Sequence, residues 1–573
     1  MSGTSAGSPH AGSETGRTAP ASPVTTAAQL VRLRAHDDTT GVLFEGRTWT
    51  WREVVAEAEL RAELLLSLRR AGPFHVGVLL ENTPEYLFLL AGAALAGAVI
   101  VGVNPTRRGA ELATDIRRAD CQLLVTDASQ VALVDQLDLG LSPDRLLVVD
   151  DETYTHRLEG LRPEDDEARP ALPEPTADQL FLLIFTSGST GGPKAVRMTQ
   201  GRAARAASRV GFSSEDILYS AMPLFHGNAL SAAVLPALAS GATLALRRKF
   251  SASNFLPDVR ECGATFFNSV GRAIAHIVAT PPTEHDRDHR LRYVLGPETS
   301  ARDKEAFTER FGVPLVEGYG SSENAIVLKP VAGARPGALG RASSRDDVAV
   351  VDPDSTVELP LAVFDEHGRL TNADACIGEL VGRKARANFE GYYNNPEADA
   401  ERTRHGWYWS GDLAYRDAEG IFYFAGRTGD WLRVDSENFA AAPVERIVAR
   451  FEGASGVAVY PVPDPSTGDQ VMAALELEAG VVFDPGAFAA FLAAQEDLGT
   501  KWAPRYVRVV SALPVTATDK TDKKPLRAQR WDTDDPVWHR VGRSDRYVPL
   551  TPADVDRLVD EFAANGRSAL IGC

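Results

Sequence analysis

The chain has 573 residues, of which 44% are hydrophobic and 24% charged, a balance typical of a soluble globular protein with two or three domains. Its net charge of −18 would repel nucleic-acid backbones and anionic lipid surfaces, which excludes both as general partners. The four cysteines form no CxxC pair, so we expect neither a disulfide framework nor structural zinc, and a reducing cytoplasm fits.

The first 25 residues are mostly Ser, Thr, Ala, Gly and Pro, with Arg17 as the one strong cation. They contain no apolar core of a signal peptide, so they predict a disordered tail. Residues 86–103 form an uncharged run of 18 residues, just at the length needed to span a membrane. Their alanines and glycines divide the run into a helix over 86–97 and a buried strand over 99–103, and no transmembrane span is predicted.

Short apolar runs recur at residues 76–80, 99–103, 121–125 and 146–149, with helical stretches between them. This pattern predicts an α/β fold with a parallel sheet. After residue 427 the pattern changes to strands at 457–462 and 471–477 and helices over 484–495 and 551–564. We therefore predict three parts: a disordered tail (1–25), a large domain (26–428) and a small α+β domain (429–573).

The most informative stretch is TSGSTGGPK at residues 186–194, which directly follows the apolar run 181–185. Glycines, hydroxyls and one lysine at the end of a buried strand present backbone N–H groups and a cation at one point, which suits a polyphosphate. The spacing differs from that of a Walker P-loop, so an ordinary P-loop NTPase is disfavoured. A Ser/Gly linker is the alternative, but linkers seldom follow an apolar strand.

Five further motifs follow in order: MPLFHG (222–227), GYGSSE (318–323), SGDL (410–413), GRTGD (426–430) and LPVTATDK (513–520). Together they resemble the AMP-forming adenylate-forming enzymes, which include acyl-CoA ligases, peptide-synthetase adenylation domains and luciferases, over about residues 25–550. Residues 248–255 and 427–434 resemble the branch of fatty-acid transport proteins and very-long-chain acyl-CoA synthetases, with its actinobacterial relatives. The resemblance implies a large N-terminal domain of parallel and mixed sheets and a small, mobile C-terminal domain.

The resemblance also assigns the nucleotide-binding residues. The loop at 186–194 would hold the phosphates of ATP, Glu323 and Thr186 would hold Mg²⁺, and Asp412 and Arg427 would bind the ribose. Residues 296–298 would flank the adenine. The full nucleotide-binding set is Thr186, Ser187, Gly188, Ser189, Thr190, Gly191, Lys194, Gly296, Pro297, Glu298, Gly318, Tyr319, Gly320, Ser321, Ser322, Asp412, Arg427 and Lys520.

By the same resemblance, Lys520 on the small domain is the main catalytic residue. Its ammonium group would bridge the attacking carboxylate oxygen and the α-phosphate, where negative charge develops. The preceding Asp519 departs from the family pattern and would hold that lysine charged. A solvated lysine in the basic stretch of residues 520–524 is the alternative.

The acid pocket would include His226, Phe267, Asn268 and Gly318, with His226 also counted as catalytic beside Lys520 and Glu323. A core histidine is the ordinary interpretation of a lone His, but its motif favours the pocket. Arg272 stands where this branch tends to carry glutamate. It would bind an anionic group of the substrate or form a surface salt bridge.

The sequence does not determine the identity of the acyl acceptor, because Ser436 stands where thioester-forming relatives have a glycine that lines the CoA channel. Three functions therefore remain open. The first is an ATP-dependent acid–CoA ligase that uses Mg²⁺ and CoA on a small-molecule acid. The second is a CoA-independent enzyme of secondary metabolism, such as a diazotase that activates nitrite and diazotises an aryl amine. The third is a non-catalytic carrier, against which the intact Lys194, Glu323, Asp412, Arg427 and Lys520 argue.

Overall fold

The structure is a computed structural model that describes residues 24–571 except 163–170, 187–192, 209–210, 298, 300, 332, 336, 344–345, 428–430, 435–436, 467, 496, 500, 517–519 and 542–545. Strands and helices alternate along the first part of the chain. The strands are β1 Thr40–Phe44, β2 Arg47–Thr50, β3 His75–Leu79, β4 Val99–Gly102, β5 Cys121–Thr126, β6 Leu146–Val148, β7 Leu180–Thr186, β8 Lys194–Thr199, β9 Ile217–Ser220, β10 Thr243–Leu246, β11 Phe266–Asn268, β12 Tyr293–Leu295, β13 Leu315–Val316, β14 Tyr319–Gly320, β15 Val327–Lys329, β16 Ala338–Ala342, β17 Val348–Val351, β18 Gly378–Gly382, β19 Tyr408–Arg416, β20 Ile421–Arg427, β21 Trp431–Val434, β22 Glu437–Ala440, β23 Ala454–Pro463, β24 Asp469–Leu477, β25 Tyr506–Val510, β26 Val537–Arg540 and β27 Tyr547–Pro549.

The helices mostly lie between these strands. They are α1 Ala27–Arg32, α2 Trp51–Ser67, α3 Pro84–Ala96, α4 Gly109–Arg118, α5 Glu152–Glu159, α6 Gln200–Ala207, α7 Gly227–Ala229, α8 Leu235–Ser240, α9 Phe255–Cys262, α10 Gly271–Val278, α11 Ala301–Phe311, α12 Ala373–Cys376, α13 Pro396–Arg402, α14 Ala441–Val448, α15 Pro485–Ala493, α16 Lys523–Gln529 and α17 Pro552–Ala564. A π-helical turn, Leu230–Val234, joins α7 to α8.

Two largely parallel sheets and one antiparallel sheet make up the part of the chain before residue 428. The strand orders are β6-β5-β3-β4-β7-β8 and β13-β12-β11-β9-β10-β1-β2 for the first two, and β14-β15-β16-β20-β19-β18-β17 for the third. Every residue of β3 and β4 is buried, because helices cover both faces of a parallel sheet. The predicted α/β fold is therefore confirmed.

The apolar run at residues 86–103 forms a buried helix and strand. Helix α3 ends at Gly97, whose φ of 67° turns the chain, and β4 then pairs in parallel with β3 and β7. Gly97 provides this left-handed cap because it has no Cβ. In the part of the chain that the structure describes, no helix is both long and apolar enough to cross a membrane.

The part of the chain that the structure describes begins at Val24. Val24 packs against the large hydrophobic core, and the backbone N–H of Thr25 donates to Gln29 Oε1 at 2.7 Å. Thr26 is buried and caps α1. The tail predicted over residues 1–25 lies almost wholly outside the described residues, so its boundary stays a prediction.

The chain after residue 431 builds its own sheet and cores. Strands β23 to β27 form a five-stranded mixed sheet, in which only β24 and β25 run parallel. One hydrophobic cluster of this part runs from Leu432 to Tyr547 and a second from Ala458 to Ile571. This is the small α+β unit that the sequence predicts, and the exact boundary at residues 428–429 falls at the edge of the described chain.

Candidate active site

The ends of the predicted phosphate loop lie opposite each other in a β-hairpin. Strands β7 and β8 pair antiparallel with Thr186 facing Lys194, and Thr186 Oγ1 donates to the Lys194 carbonyl at 3.4 Å. The hairpin therefore fixes both ends of the loop. Ser187, Gly188, Ser189, Thr190 and Gly191 lie outside the described residues, so their part in phosphate binding stays a prediction.

Lys194 is held by two residues that sequence reasoning missed. Its side chain is 7% exposed, and its Nζ donates to Glu401 Oε2 at 2.9 Å and lies 5.5 Å from the centroid of the Tyr392 ring. The Glu401 side chain is 59% exposed, so this ion pair borders solvent. A phosphate that entered the loop could replace Glu401 as the partner of this cation.

Glu323 lies in a buried polar cluster. It is 7% exposed, and Tyr392 Oη donates to its Oε1 at 2.6 Å, while Arg402 Nε donates to the same tyrosine oxygen at 3.3 Å. Burial and the Glu323 carboxylate raise the pKa of Tyr392, which keeps this hydroxyl a donor. Arg202 donates to the backbone carbonyls of Ser322 and Glu323 and so fixes the end of the GYGSSE motif.

These residues fit a magnesium ion. Mg²⁺ prefers oxygen ligands and in nucleotide sites takes one or two carboxylates together with substrate phosphates. Glu323 supplies a carboxylate and Thr186 a hydroxyl. No group of three or more His, Cys, Asp or Glu that could hold a metal by itself occurs among the described residues, and the magnesium site stays a prediction.

The two predicted ribose-binding residues face each other across β19 and β20. Asp412 pairs in register with Arg427, which puts both at the same level of the antiparallel sheet. Tyr319 Oη donates to Asp412 Oδ2 at 2.5 Å, and the Asp412 backbone N–H donates to Ser410 Oγ at 3.1 Å. The GYGSSE and SGDL motifs therefore meet at this carboxylate.

The segment predicted to flank adenine continues from the end of β12. The Gly296 N–H donates to the Val316 carbonyl at 3.1 Å, and a Cβ at Gly296 would lie 3.0 Å from Thr299 Oγ1. The carbonyl of Pro297 accepts from the Gly271 N–H at 2.9 Å, and Glu298 lies outside the described residues.

The GYG segment at residues 318–320 has space around its glycines. A Cβ at Gly320 would have no heavy atom within 4 Å, and a Cβ at Gly318 would make only ordinary contacts. Ser321, which follows this segment, is half-buried.

The structure brings Lys520 and His226 together. Burial and the positive charge of Lys520 lower the pKa of His226 to about 4, so the imidazole is neutral at pH 7. The backbone N–H of Lys520 donates to Thr516 Oγ1 at 3.2 Å, and the Thr516 N–H donates to the Lys520 carbonyl at 2.8 Å. Lys520 of the small α+β unit therefore lies near the MPLFHG motif of the large one, and its catalytic role stays a prediction.

Asn82 positions the loop that carries His226, and sequence reasoning missed it. It is buried, and its amide nitrogen donates to the carbonyls of Met222 at 2.9 Å and Arg247 at 3.1 Å. Its amide oxygen accepts from the Leu224 N–H at 2.9 Å. An asparagine shortly after a buried strand is the one sequence signal for this role, and it is too common to identify the residue.

The predicted acid-pocket residues on β11 point to opposite faces of the sheet. Phe267 is buried in the core, with its ring centroid 4.8 Å from that of Phe255 and 5.3 Å from that of Tyr219. Neighbouring residues of a strand point to opposite faces, so its pocket role stays a prediction that these packing contacts do not support. Asn268 points to the other face.

Arg272 lies in the first turn of α10 and is half-buried. Among the described residues it forms no ion pair, so the alternative of a surface salt bridge finds no support there. The role of Arg272 toward the substrate stays a prediction. Ser436, the predicted CoA-channel residue, lies outside the described residues.

Comparison with known proteins agrees with this geometry. The family model "AMP-binding enzyme" matches residues 31–393, and the model of its C-terminal domain matches residues 443–520. The chain belongs to the AMP-binding enzyme family. Lys520, His226 and the nucleotide-binding motifs are therefore parts of an AMP-binding enzyme.

Two curated relatives align with this AMP-binding enzyme over most of their length. It is 53% identical to a steroid-22-oyl-CoA synthetase of Rhodococcus jostii over 554 residues, which cover 96% of the chain and 99% of that relative. It is 43% identical to the medium/long-chain-fatty-acid–CoA ligase FadD17 of Mycobacterium tuberculosis over 90% of the chain and 98% of that ligase. The predicted enzyme class of an AMP-forming acid–CoA ligase is confirmed, and the nitrite-dependent alternative finds no support.

Solved structures share the fold. The anthranilate CoA ligase AuaEII in complex with anthranoyl-AMP superposes with a TM-score of 0.73 at 21% identity, covering 88% of this chain and 96% of that one. ATP-bound MatB from Rhodopseudomonas palustris gives a TM-score of 0.75 at 23% identity, covering 88% and 99%. At these identities the similarity shows the fold alone.

Proposed function

We propose that this enzyme activates a bulky apolar carboxylic acid with ATP and transfers the acyl group to CoA, and that steroid-22-oic acids are its substrate class. The observation that carries the activation step is the charge of Lys520 near the half-buried, neutral imidazole of His226. The substrate class rests on the 53% identity with the steroid-22-oyl-CoA synthetase over nearly the whole of both chains.

In the first half-reaction, a carboxylate oxygen of the acid forms a bond to the α-phosphorus, and the bond to the β-phosphate oxygen breaks with its electron pair on pyrophosphate. Lys520 stabilises the negative charge shared by the attacking oxygen and the α-phosphate. Thr186, Lys194 and the loop between them hold the departing pyrophosphate. Mg²⁺ held by Glu323 and Thr186 would neutralise phosphate charge when bound.

Asp412 and Arg427 hold the nucleotide during this step. The Asp412 carboxylate accepts the ribose hydroxyls, and Tyr319 fixes its orientation from the opposite side. The backbone pairing of Asp412 with Arg427 on neighbouring strands supports a shared role at the ribose. Positioning of this kind lowers the entropic part of the barrier.

In the second half-reaction, the CoA sulfur forms a bond to the acyl carbon, the thiol gives up its proton, and AMP leaves with the electron pair of the broken bond. We assign residues 429–573 as the small domain that carries Lys520 and moves between the two steps. Ser436 would border the CoA channel, where the serine Cβ and hydroxyl leave less room than the family's glycine.

The test is mass spectrometry of products from ATP and Mg²⁺ with steroid-22-oic acids, medium-chain and long-chain fatty acids, each with and without CoA. We expect acyl-CoA and AMP, with steroid-22-oic acids giving the highest kcat/KM. A separate arm supplies nitrite and an aryl amine without acid. The proposal would be overturned if AMP forms with nitrite and the aryl amine while no acid gives a thioester with CoA. A Ser436→Gly variant, expected to form thioester faster and adenylate at the same rate, reports on the channel.

A further inference from the structure

Asn268 has a fully buried side chain whose amide has no hydrogen-bond partner among the described residues. The residue is 0% exposed, and within that part of the chain neither Oδ1 nor Nδ2 has a partner. A side-chain amide offers two donors and an acceptor oxygen, and nearly all such groups are satisfied when buried. A buried amide whose oxygen and nitrogen both lack a hydrogen-bond partner costs folding free energy, so a ligand is a candidate for the missing partner.

The register of the sheet shows which way the amide faces. Asn268 ends β11 and pairs in parallel with Ser220 at the end of β9. The alternate residues of these strands, Leu218 and Phe266, join the core cluster that contains Leu230 and Val234, so Asn268 and Ser220 share their face. Phe267 and its neighbours pack on the other face.

That face is covered by the segment that follows His226. The segment runs through α7, the π-helical turn Leu230–Val234 and α8. π-Helical turns are rare and occur frequently at functional sites. Asn268 also stands at the carboxyl edge of parallel strands, the edge where open α/β sheets bind ligands.

Two backbone hydrogen bonds fix the main chain that follows Asn268. The Ser269 N–H donates to the Leu295 carbonyl at 2.9 Å, and the Gly271 N–H donates to the Pro297 carbonyl at 2.9 Å. These two bonds hold the turn to the segment 295–297, which includes Gly296 and Pro297 of the predicted adenine-flanking residues. The main chain therefore holds the Asn268 amide at the carboxyl edge of the sheet, on the face that carries Leu218 and Phe266.

We propose that Asn268 is a specificity-determining residue that hydrogen-bonds an oxygen of the bound acid other than its carboxylate. This inference rests on the proposed acid–CoA ligase function. A ketone would accept from Nδ2, and a hydroxyl would accept from Nδ2 and donate to Oδ1. Oxygenated polycyclic acids offer such a group, whereas saturated fatty acids offer only hydrocarbon.

The test compares pairs of acids with the same carbon skeleton, with and without one hydroxyl or ketone oxygen. For the wild type, we expect at least one oxygenated acid to be preferred by about tenfold or more in kcat/KM, because a site built for a hydrogen bond rejects an analogue that lacks it. In Asn268→Leu, which has a similar volume, the ratio should fall to about one, through loss of the oxygenated acid. Val294→Ala, on the opposite face of the sheet, should keep the wild-type ratio.

Several results would overturn the inference. One is a wild type without preference across a panel of oxygen positions, and another is an Asn268→Leu variant that keeps the wild-type ratio. A large fall in the melting temperature of Asn268→Leu with an unchanged ratio would show that the amide holds an internal water. If that variant does not fold, Asn268→Ser replaces it, with the same expected loss of preference.

The outcome for Asn268 can be separated from that for the ligase function. If thioester forms and Asn268→Leu keeps the acid preference of the wild type, the result contradicts the role inferred for Asn268 and leaves the ligase function supported. If no acid gives a thioester, the ligase proposal fails, and equilibrium binding of the same acid pairs to wild type and Asn268→Leu still measures the preference. A difference in affinity that the variant abolishes supports the amide contact, and equal affinities contradict it.

Discussion

His226 shows how burial sets the chemistry of a single residue. Burial and the charge of Lys520 lower its pKa to about 4, below the ordinary value of 6.5. The folded protein therefore favours the neutral imidazole, which adds no second positive charge beside the lysine. A carboxylate and the phosphates then interact with Lys520 without competition from a histidinium.

This pKa predicts a pH dependence of stability. Because the folded pKa is lower than the unfolded one, the contribution of His226 is complete above about pH 6.5 and is lost as the pH falls toward 4, by up to about 3 kcal/mol. We expect the free energy of unfolding of the wild type to fall more over this window than that of His226→Gln. Denaturant titrations at several pH values measure the difference, and parallel curves would contradict it.

Lys520 is predicted to act on the transition state more than on nucleotide binding. Lys520→Ala should therefore reduce acid-dependent pyrophosphate release by at least about a thousandfold while ATP affinity changes little. The exposed Lys524→Ala is the matched control from the same basic stretch and should keep most of the activity. Normal pyrophosphate release by Lys520→Ala would remove this residue from the mechanism.

At the scale of elements, the pairing of β19 with β20 builds the ribose site. Asp412→Ala should weaken ATP binding by about tenfold or more, because a charged hydrogen-bond acceptor is lost. Tyr319→Phe removes the donor to Asp412 but keeps the carboxylate, so its effect should be smaller. Equilibrium binding of ATP to both variants tests this order, and wild-type affinity in Asp412→Ala would contradict the assignment.

Gly340 is a point of close backbone approach within the antiparallel sheet. Its φ is 121°, and a Cβ there would lie 2.1 Å from the Lys329 carbonyl oxygen, where β15 pairs with β16. Gly340→Ala should therefore destabilise the protein by about 3 kcal/mol or more. Gly337→Ala is the control: its φ is 80°, but its Cβ would have no heavy atom within 4 Å, so the cost should be about 1 kcal/mol. Thermal unfolding of both variants checks the difference.

At the scale of the whole molecule, the part of the chain that the structure describes begins at Val24. Deleting residues 1–23 should leave the melting temperature and activity unchanged, because this segment has few apolar side chains with which to pack. Deleting residues 1–26 should cost about 1 kcal/mol or more, because it removes the Thr26 cap of α1, whose Oγ1 accepts from the Gln29 N–H at 3.2 Å. Equal melting temperatures for the two truncations would contradict this boundary.

The sequence by itself determined the family, the α/β class and the places of most predicted elements. Buried strands such as β3 and β4 are evident as apolar runs, and α17 begins at the Thr551-Pro552 pair that predicts it. These features are local, because periodicity, capping and motif spacing act over a few neighbouring residues. The order of the motifs was sufficient to name Lys520, Asp412 and Glu323.

Only the tertiary structure decided which side chains meet. Glu401 holds Lys194 from 207 residues away, and Tyr392 holds Glu323 from 69 residues away. Phe267 and Asn268 point to opposite faces of β11. Phe267 packs in the core, whereas the Asn268 amide has no hydrogen-bond partner among the described residues. Such pairs depend on how sheets and helices pack against one another, and packing brings together residues whose separation along the chain carries no local signal.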